Sequence, residues 1–222
     1  MQRSSDHIYD SIIITKNHRY FGTATIKDLL EISTKIELNR AKDANPLTNL
    51  PGNKMIESEL LYYSNRQLPF TAIYIDLDNF KAYNDIYGFA AGDQVLLSTA
   101  AILNQCAKEI CPKSFVGHIG GDDFILFLPG TDYQKICDYI IEVFANKAKT
   151  FYSKEHQMQG YIIAKNRQDQ LSQFPLMTLS LAVLLVKTEA QIPLENLSKK
   201  AASIKKVCKK HWENNYVMET IA

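Results

Sequence analysis

The chain lacks several features that would assign it to a membrane, an export route or a nucleic acid. None of its apolar runs approaches the roughly 18 residues needed to cross a bilayer, and its N-terminus has no signal-peptide pattern. Its formal net charge is only +1 over 222 residues, and charged side chains are spread along the chain. No basic surface for nucleic acid is therefore indicated. Without repeats or low-complexity tracts, the sequence predicts a globular chain that buries a sizeable core.

The cysteines also lack a pattern that would indicate a metal or redox site, because no two of them form a Cys-x-x-Cys pair. They are Cys106, Cys111, Cys137 and Cys208. We expect four reduced thiols in a cytoplasmic protein.

The most informative stretch of the chain is Gly-His-Ile-Gly-Gly-Asp-Asp-Phe-Ile-Leu-Phe-Leu-Pro at 117–129. The runs at 115–119 and 124–128 are short and rich in β-branched and aromatic residues, which is typical of buried strands. The two glycines and two acids at 120–123 then form the turn of a β-hairpin. Adjacent acids repel unless a cation lies between them, and Mg²⁺ prefers carboxylate oxygens. From this segment alone, a turn with solvated acids is an equally good interpretation.

A second acidic segment follows another buried-strand pattern at 70–75. Asp76 comes directly after it, and Asn79 is a plausible N-cap for the next helix. Because α/β sheets usually place their chemistry at the carboxyl ends of central strands, Asp76 and Asp122 could hold a metal between them. The alternatives are a capping role for Asp76 and a solvated helix face for Lys81, Asn84 and Asp85.

The rest of the pattern alternates strands and helices. Beyond the leader, helices are predicted at 55–65, 91–108, from Asp132, and from Pro193 to about His211. The runs at 161–164 and 176–186 suggest a strand pair around a polar stretch, and a last short strand lies near Tyr216. We expect an α/β (α+β) fold with a mixed, mainly antiparallel central sheet flanked by helices.

The leader up to residue 42 has its own pattern. Strand-like runs at 12–15 and 20–26 flank a polar turn, and a helix opens at 27–30. Leu29, Ile32 and Ile36 fall on one face of that helix, which either packs on the following domain or pairs with a second copy.

Four motifs in order resemble the GGDEF family of diguanylate cyclases, over about residues 43–218. They are the Asn-Pro-Leu-Thr-Asn-Leu-Pro-Gly-Asn opening at 45–53, the first-strand motif at 76–85, the Tyr-Gly-Phe-Ala-Ala-Gly-Asp element at 87–93 and the signature at 120–124. The leader resembles the tail of a CBS module, whose helix begins at a Thr-x-x-Asp-Leu-Leu sequence. The sequence Gly-His-Ile-Gly-Gly-Asp-Asp-Phe at 117–124 is similar to the corresponding segment of GGDEF domains that follow EAL and CBS modules. We therefore expect a partial CBS-like segment and linker helix at 1–42 and a GGDEF domain at 43–222.

The resemblance implies a nucleotidyl-cyclase or polymerase-palm-like fold and a reaction between two copies of the domain. Each copy would bind one GTP, and each 3′-hydroxyl would attack the other α-phosphate to give cyclic di-GMP and pyrophosphate. Mg²⁺ or Mn²⁺ would be held by Asp76, the Leu77 carbonyl and Asp122. Asp123 would assist metal binding or deprotonate the 3′-hydroxyl.

The resemblance also implies the contacts that would bind the nucleotide. Asn84 and Asp93 would accept hydrogen bonds from the guanine edge, which adenine could not supply. The remaining contacts would come from Gly120 and Gly121, which leave room for the nucleotide, from the backbone at Asn79 and Phe80, and from Lys81 and Lys209, which meet the phosphates.

Several positions depart from the family pattern. Asp123 stands where Glu is usual and is one methylene shorter. Trp212 and Glu213 replace a glycine and an arginine after Lys209, while Lys205, Lys206 and Lys210 either compensate or form a solvated face. The inhibitory Arg-x-x-Asp becomes Cys-Pro-Lys-Ser at 111–114, so we expect no product inhibition there.

Three functions remain open from these residues. The first is an active diguanylate cyclase. The second is a GTP-binding module that regulates a neighbouring domain such as an EAL phosphodiesterase. The third, a dimerisation scaffold, would leave the polar motif residues unexplained. His118 is expected to be a packed, hydrogen-bonded residue rather than a catalyst.

Overall fold

A computed structural model describes residues 10–166, 168–187, 194–208 and 215–221, with the side chains of residues 39, 40 and 194 left out. The chain divides into two compact units, one up to Asp43 and one from Ala44 onward. None of the helices in the described ranges is both long enough and apolar enough to span a membrane.

The first unit is a hairpin followed by a helix, as its sequence predicts. Strands β1 (Ser11–Lys16) and β2 (Arg19–Thr25) pair antiparallel and lead into α1 (Ile26–Asp43). The Thr25 hydroxyl accepts a bond from the Asp28 amide, and the Asp28 carboxylate accepts one from the Thr25 amide. This reciprocal capping box explains why the helix begins there.

The apolar stripe on α1 is half exposed, at 46% for Leu29, 56% for Ile32 and 47% for Ile36. Its pairing with a second copy stays a prediction, as does the assignment of this unit to a CBS-like segment.

The second unit is built on a five-stranded sheet. Its strands are β3 (Phe70–Leu77), β4 (Phe115–Gly120), β5 (Asp123–Pro129), β8 (Leu179–Val186) and β9 (Asn215–Ile221). They lie in the order β4-β5-β3-β8-β9. Only the β8–β9 pair is parallel among these, which confirms the mixed, mainly antiparallel sheet. Strands β3 and β8 are buried at every position because helices cover both faces of the sheet.

The helices of this unit form two layers. They are α2 (Asn53–Arg66), α3 (Phe80–Tyr87), α4 (Phe89–Ile110), α5 (Gln134–Ala148), α6 (Lys154–Gln159) and α7 (Leu194–Cys208), with a 3₁₀ turn at Lys149–Phe151. The helix predicted to begin at Asp132 begins two residues later, at Gln134. One apolar core lies between one face of the sheet and α3, α4 and α5, and a second lies between the opposite face and α2 and α7.

One predicted strand pairing is wrong. The run at 161–164 does not pair with 176–186; β6 (Tyr161–Lys165) pairs with β7 (Leu171–Pro175) in a separate two-stranded hairpin. Strand β8 instead enters the central sheet beside β3. The polar sequence 165–173, taken as a connection, contains most of β7.

Candidate functional site

The central strand carries an acid at its carboxyl end, where the sheet opens toward the following turn. Asp76 is buried on β3 and lies opposite Asp123 of β5 on one side and Ser180 of β8 on the other. Directly opposed residues in an antiparallel pair project to the same face. Asp76 and Asp123 therefore face the layer that contains α2 and α7, and the strand register alone brings them together.

The predicted signature turn joins β4 to β5 and has an open surface. Gly121 has φ +58°, in the left-handed region that favours glycine, and Gly120 has φ +150°. A Cβ added to either glycine would meet no atom within 4 Å. The turn thus leaves free space beside Asp122, as a site for a close-fitting ligand requires.

His118 fastens this turn to the opening motif at 45–53. Its Nε2 donates to the Gly121 carbonyl at 3.0 Å, so the neutral ring accepts at Nδ1 from the Thr48 hydroxyl at 2.9 Å. The His118 amide donates to the Pro51 carbonyl, also at 2.9 Å. Burial lowers the pKa of His118. The expectation of a packed, hydrogen-bonded histidine is confirmed, and its role is to hold the shape of the turn.

A second acid fixes the turn that follows β3. The Asp78 carboxylate accepts from the Thr178 hydroxyl at 2.9 Å and from the Ser180 hydroxyl at 2.7 Å. The Asp78 amide also donates to the Thr178 carbonyl at 2.9 Å. Sequence reasoning missed this set because Thr178 and Ser180 lie about 100 residues further along the chain.

Asn79 stands at the N-cap position of α3, but it does not cap the helix with its side chain. It adopts φ +63°, and its side-chain amide donates to the Pro175 carbonyl at 3.2 Å. The Asn79 side chain therefore bonds to the last residue of β7 instead of capping α3, and it leaves the first backbone amides of α3 available to other hydrogen-bond acceptors.

These elements enclose a cleft of about 510 Å³. Asp122, the β3–α3 turn and the β6–β7 hairpin line it. The predicted residues on its wall are Leu77, Asn79, Phe80, Lys81 and Asp122. The hairpin adds residues that sequence reasoning did not select: Lys165, Asn166, Gln168, Phe174 and Pro175. Their contribution depends on the β6–β7 pairing, which the sequence pattern did not reveal.

The two residues expected to contact a purine lie on adjacent helices. Asn84 is on α3, and Asp93 is exposed near the start of α4. The Asn84 Oδ1 atom is buried and makes no hydrogen bond to the part of the chain that the structure describes. Since a buried acceptor without a partner costs about 1–3 kcal/mol, this atom is suited to receive a ligand donor.

One of the lysines that the sequence left as either a compensating charge or part of a solvated face lies beside Asp76 and Asp123. Lys205 of α7 contacts the Asp123 carboxylate, and its Nζ is 3.4 Å from Asp76 Oδ1. Lys209, Lys210, Trp212 and Glu213 fall outside the described residues. The expectations for them therefore stay predictions.

The oxygen atoms at the end of β3 and in the signature turn suit a hard divalent cation whose remaining coordination positions are filled by water and a bound phosphate compound. Within the described ranges, no group of three or more His, Cys, Asp or Glu side chains could hold a metal ion by itself. Mg²⁺ commonly takes only one or two carboxylates and completes its shell with water and substrate phosphates. Asp76, Asp122 and the Leu77 carbonyl could supply such a partial set.

The second unit is thus an α/β domain with a mixed sheet, in which the acidic end of the central strand lies beside a glycine turn. Residues 43–174 match the family described as "Diguanylate cyclase, GGDEF domain". Because this match covers more than half of the chain, the chain belongs to the GGDEF family.

The relatives carry more than one activity in their names. The chain is 30% identical over 93 residues to the probable diguanylate cyclase DgcT of Escherichia coli K12, covering 41% of this chain and 20% of that protein. It is 28% identical over 122 residues to the cyclic di-GMP phosphodiesterase PdeB of Shewanella oneidensis, covering 53% and 14%. The chain thus spans a fifth or less of these relatives' lengths.

A solved structure supports the fold. The diguanylate cyclase SiaD of Pseudomonas aeruginosa, in complex with its activator SiaC, aligns with a TM-score of 0.64 and 20% identity. The alignment covers 87% of this chain and 68% of SiaD.

Proposed function

We propose that this domain condenses two molecules of GTP into cyclic di-GMP, with release of two pyrophosphates. The observation that carries the proposal is the register that sets Asp76 opposite Asp123, next to the turn whose Asp122 lines the cleft. Family membership supports the same reaction, and the probable diguanylate cyclase DgcT is among the relatives.

The reaction needs two domains, because each nucleotide supplies both a nucleophile and an electrophile. The 3′-hydroxyl of each GTP attacks the α-phosphate of the other, a new P–O bond forms, and the bond to pyrophosphate breaks. One domain holds one GTP, so a homodimer completes the site. Phosphoryl transfer depends mostly on position and charge, which suits a site made of acids, lysines and backbone amides.

The residues then divide into three groups by role. Asp76, Asp122 and the Leu77 carbonyl would hold Mg²⁺ or Mn²⁺, which would offset the charge that develops on the α-phosphate. Asp123 accepts the proton of the 3′-hydroxyl or assists in holding the cation. Asn84 and Asp93 accept from the guanine edge, while the phosphates meet Lys81, Lys209 and the backbone at Asn79 and Phe80, beside Gly120 and Gly121.

The four cysteines support a cytoplasmic location for this activity, since all are free thiols.

A second function has a specific observation in its favour. The acid pair is already neutralised in part by Lys205, and Asp123 is shorter than the usual glutamate. A domain that binds GTP without turnover and regulates a neighbouring EAL-type domain would fit these departures. The relative PdeB carries the name of a phosphodiesterase.

Incubation of the concentrated protein with GTP and Mg²⁺, followed by chromatography of the nucleotides, separates the two functions. Cyclic di-GMP from the parent and from the exposed-site control Asp132→Ala, but not from Asp122→Ala, would support the cyclase. Mg²⁺-dependent GTP binding with no product would favour the regulatory module. Absence of GTP binding in the parent would refute both.

A further inference from the structure

Lys205 lies where a cation between the two paired acids would lie. Its ammonium group contacts Asp123 Oδ1 and is 3.4 Å from Asp76 Oδ1. The Lys205 side chain is only 14% exposed and that of Asp76 only 10%, while Asp123 is 40% exposed. The pair with Asp76 is therefore weakly screened by water and salt, whereas solvent screens the pair with Asp123 more strongly.

The packing of α7 brings the lysine to this position. Ala201, Ile204 and Cys208 are buried against the sheet at helical spacing. Lys205 follows Ile204 and reaches the sheet where β3 ends and β5 begins. Its neighbour Lys206 is exposed. The helix therefore directs one lysine of its basic run to the acids and leaves the next in solvent.

The electrostatics make the lysine and a divalent ion alternatives. Two carboxylates held opposite one another on adjacent strands repel unless a positive charge neutralises them. A bound Mg²⁺ would lie about 2.1 Å from its carboxylate oxygens. An ammonium group in contact with the same oxygens weakens binding of that ion, because it repels the ion and occupies the carboxylate oxygens that would be its ligands.

We propose that Lys205 is a built-in competitor for the divalent cation at Asp76 and Asp123. In the nucleotide-free protein it neutralises the pair and weakens metal binding. Nucleotide phosphates supply further metal ligands and an alternative anion for the ammonium group, which makes metal entry dependent on the nucleotide. The inference rests on the metal roles that the proposed function gives to Asp76 and, as an assisting ligand, to Asp123.

The test measures binding of Mn²⁺ alone by electron paramagnetic resonance, without nucleotide. Lys205→Met should bind Mn²⁺ about tenfold more tightly than the parent, because a close charge contact in a part-buried site has been removed. Lys206→Met removes one charge from the same helix and should match the parent. Adding Asp123→Asn to Lys205→Met should remove most of the gain.

A thermal measurement gives a second readout. In EDTA, Lys205→Met should unfold at a lower temperature than Lys206→Met, because the acids face one another without a cation. Added Mn²⁺ should raise its unfolding temperature by more than it raises that of the parent. If Lys205→Met does not fold, Lys205→Gln is measured instead, since it keeps a hydrogen-bond donor and removes the charge.

Equal or weaker Mn²⁺ binding in the neutral variant would overturn the inference and leave the proposed cyclase intact. An absence of Mn²⁺ binding in every variant, with and without GTP, would overturn both the inference and the metal-dependent function.

Discussion

The side-chain oxygen of Asn84 occupies the space beside the α-carbon of Gly92. A Cβ placed on Gly92 would lie 1.9 Å from Asn84 Oδ1 and 2.9 Å from Asn84 Cγ. These distances are far below contact distance, so position 92 must be glycine for Asn84 to keep its orientation. The fourth residue of α4 thereby sets the place of the residue proposed to contact guanine.

The change Gly92→Ala should therefore weaken GTP binding while the fold is retained. Displacing Asn84 removes an acceptor worth about 1–3 kcal/mol, which corresponds to roughly 5- to 150-fold in affinity. Calorimetry with a non-hydrolysable GTP analogue measures the loss, and the ATP analogue shows whether discrimination falls with it. The control is Ala90→Ser, an exposed change one turn or less away. Unchanged affinity in Gly92→Ala would separate Asn84 from nucleotide binding.

The buried His118 should make stability depend on pH. Its pKa lies below the usual value because burial disfavours the charged ring. Below about pH 6.5 the unfolded chain takes up this proton while the folded protein resists it, so the free energy of unfolding falls as pH falls. The contribution is present above that pH and is lost on acidification.

Urea unfolding of the parent and of His118→Gln at pH 7.5 and pH 5.5 tests this. Glutamine keeps a donor for the Gly121 carbonyl but does not titrate. The stability difference between the two proteins should shrink at the lower pH. A stability difference that is the same at both pH values would show that His118 does not cause the pH dependence of the free energy of unfolding.

The Asp78 set should contribute measurably to stability. Ser180→Ala removes a bond to a charged acceptor and should lower the free energy of unfolding by about 1–3 kcal/mol. Ser58→Ala is a suitable control, since the Ser58 hydroxyl bonds an exposed carbonyl within its own helix. Denaturant unfolding compares the two, and a loss no larger than that of the control would count against the role given to Asp78.

Cyclic di-GMP should not bind at the turn that precedes β4. The Ser114 amide and hydroxyl both donate to the Cys111 carbonyl, at 2.9 Å and 2.6 Å, and neither residue offers a guanidinium or carboxylate. Titration of cyclic di-GMP onto the nucleotide-free protein should show no micromolar site here. Binding that is abolished by changes at Cys111 and Ser114 would reverse this expectation.

The sequence predicted the elements that carry strong local signals. The runs at 70–75, 115–119 and 124–128 are compact, apolar and bounded by glycine or acid, and all three are strands of the five-stranded sheet. Strand β7 was missed because Leu-Ser-Gln-Phe-Pro buries little and has polar neighbours. A two-stranded hairpin of this kind gives almost no hydrophobic pattern.

The site could be predicted only as far as its motifs are local. Asp76 stands out because it directly follows an apolar run of the sequence, and Asp122 because it follows a glycine pair. The contact of Lys205 with the acids depends on which face α7 turns toward the sheet, and the run of lysines there does not distinguish one from another. The same holds for Ser180, whose bond to Asp78 arises only when β8 pairs with β3.

Because Asp76 and Asp123 meet only through the pairing of β3 with β5, a cation that binds both acids binds the folded sheet and not the unfolded chain. Ligand occupancy and folding are then coupled equilibria, and each decade of free ion above the dissociation constant adds about 1.4 kcal/mol to stability. The melting temperature therefore reports ion binding directly, without any measurement of catalytic activity.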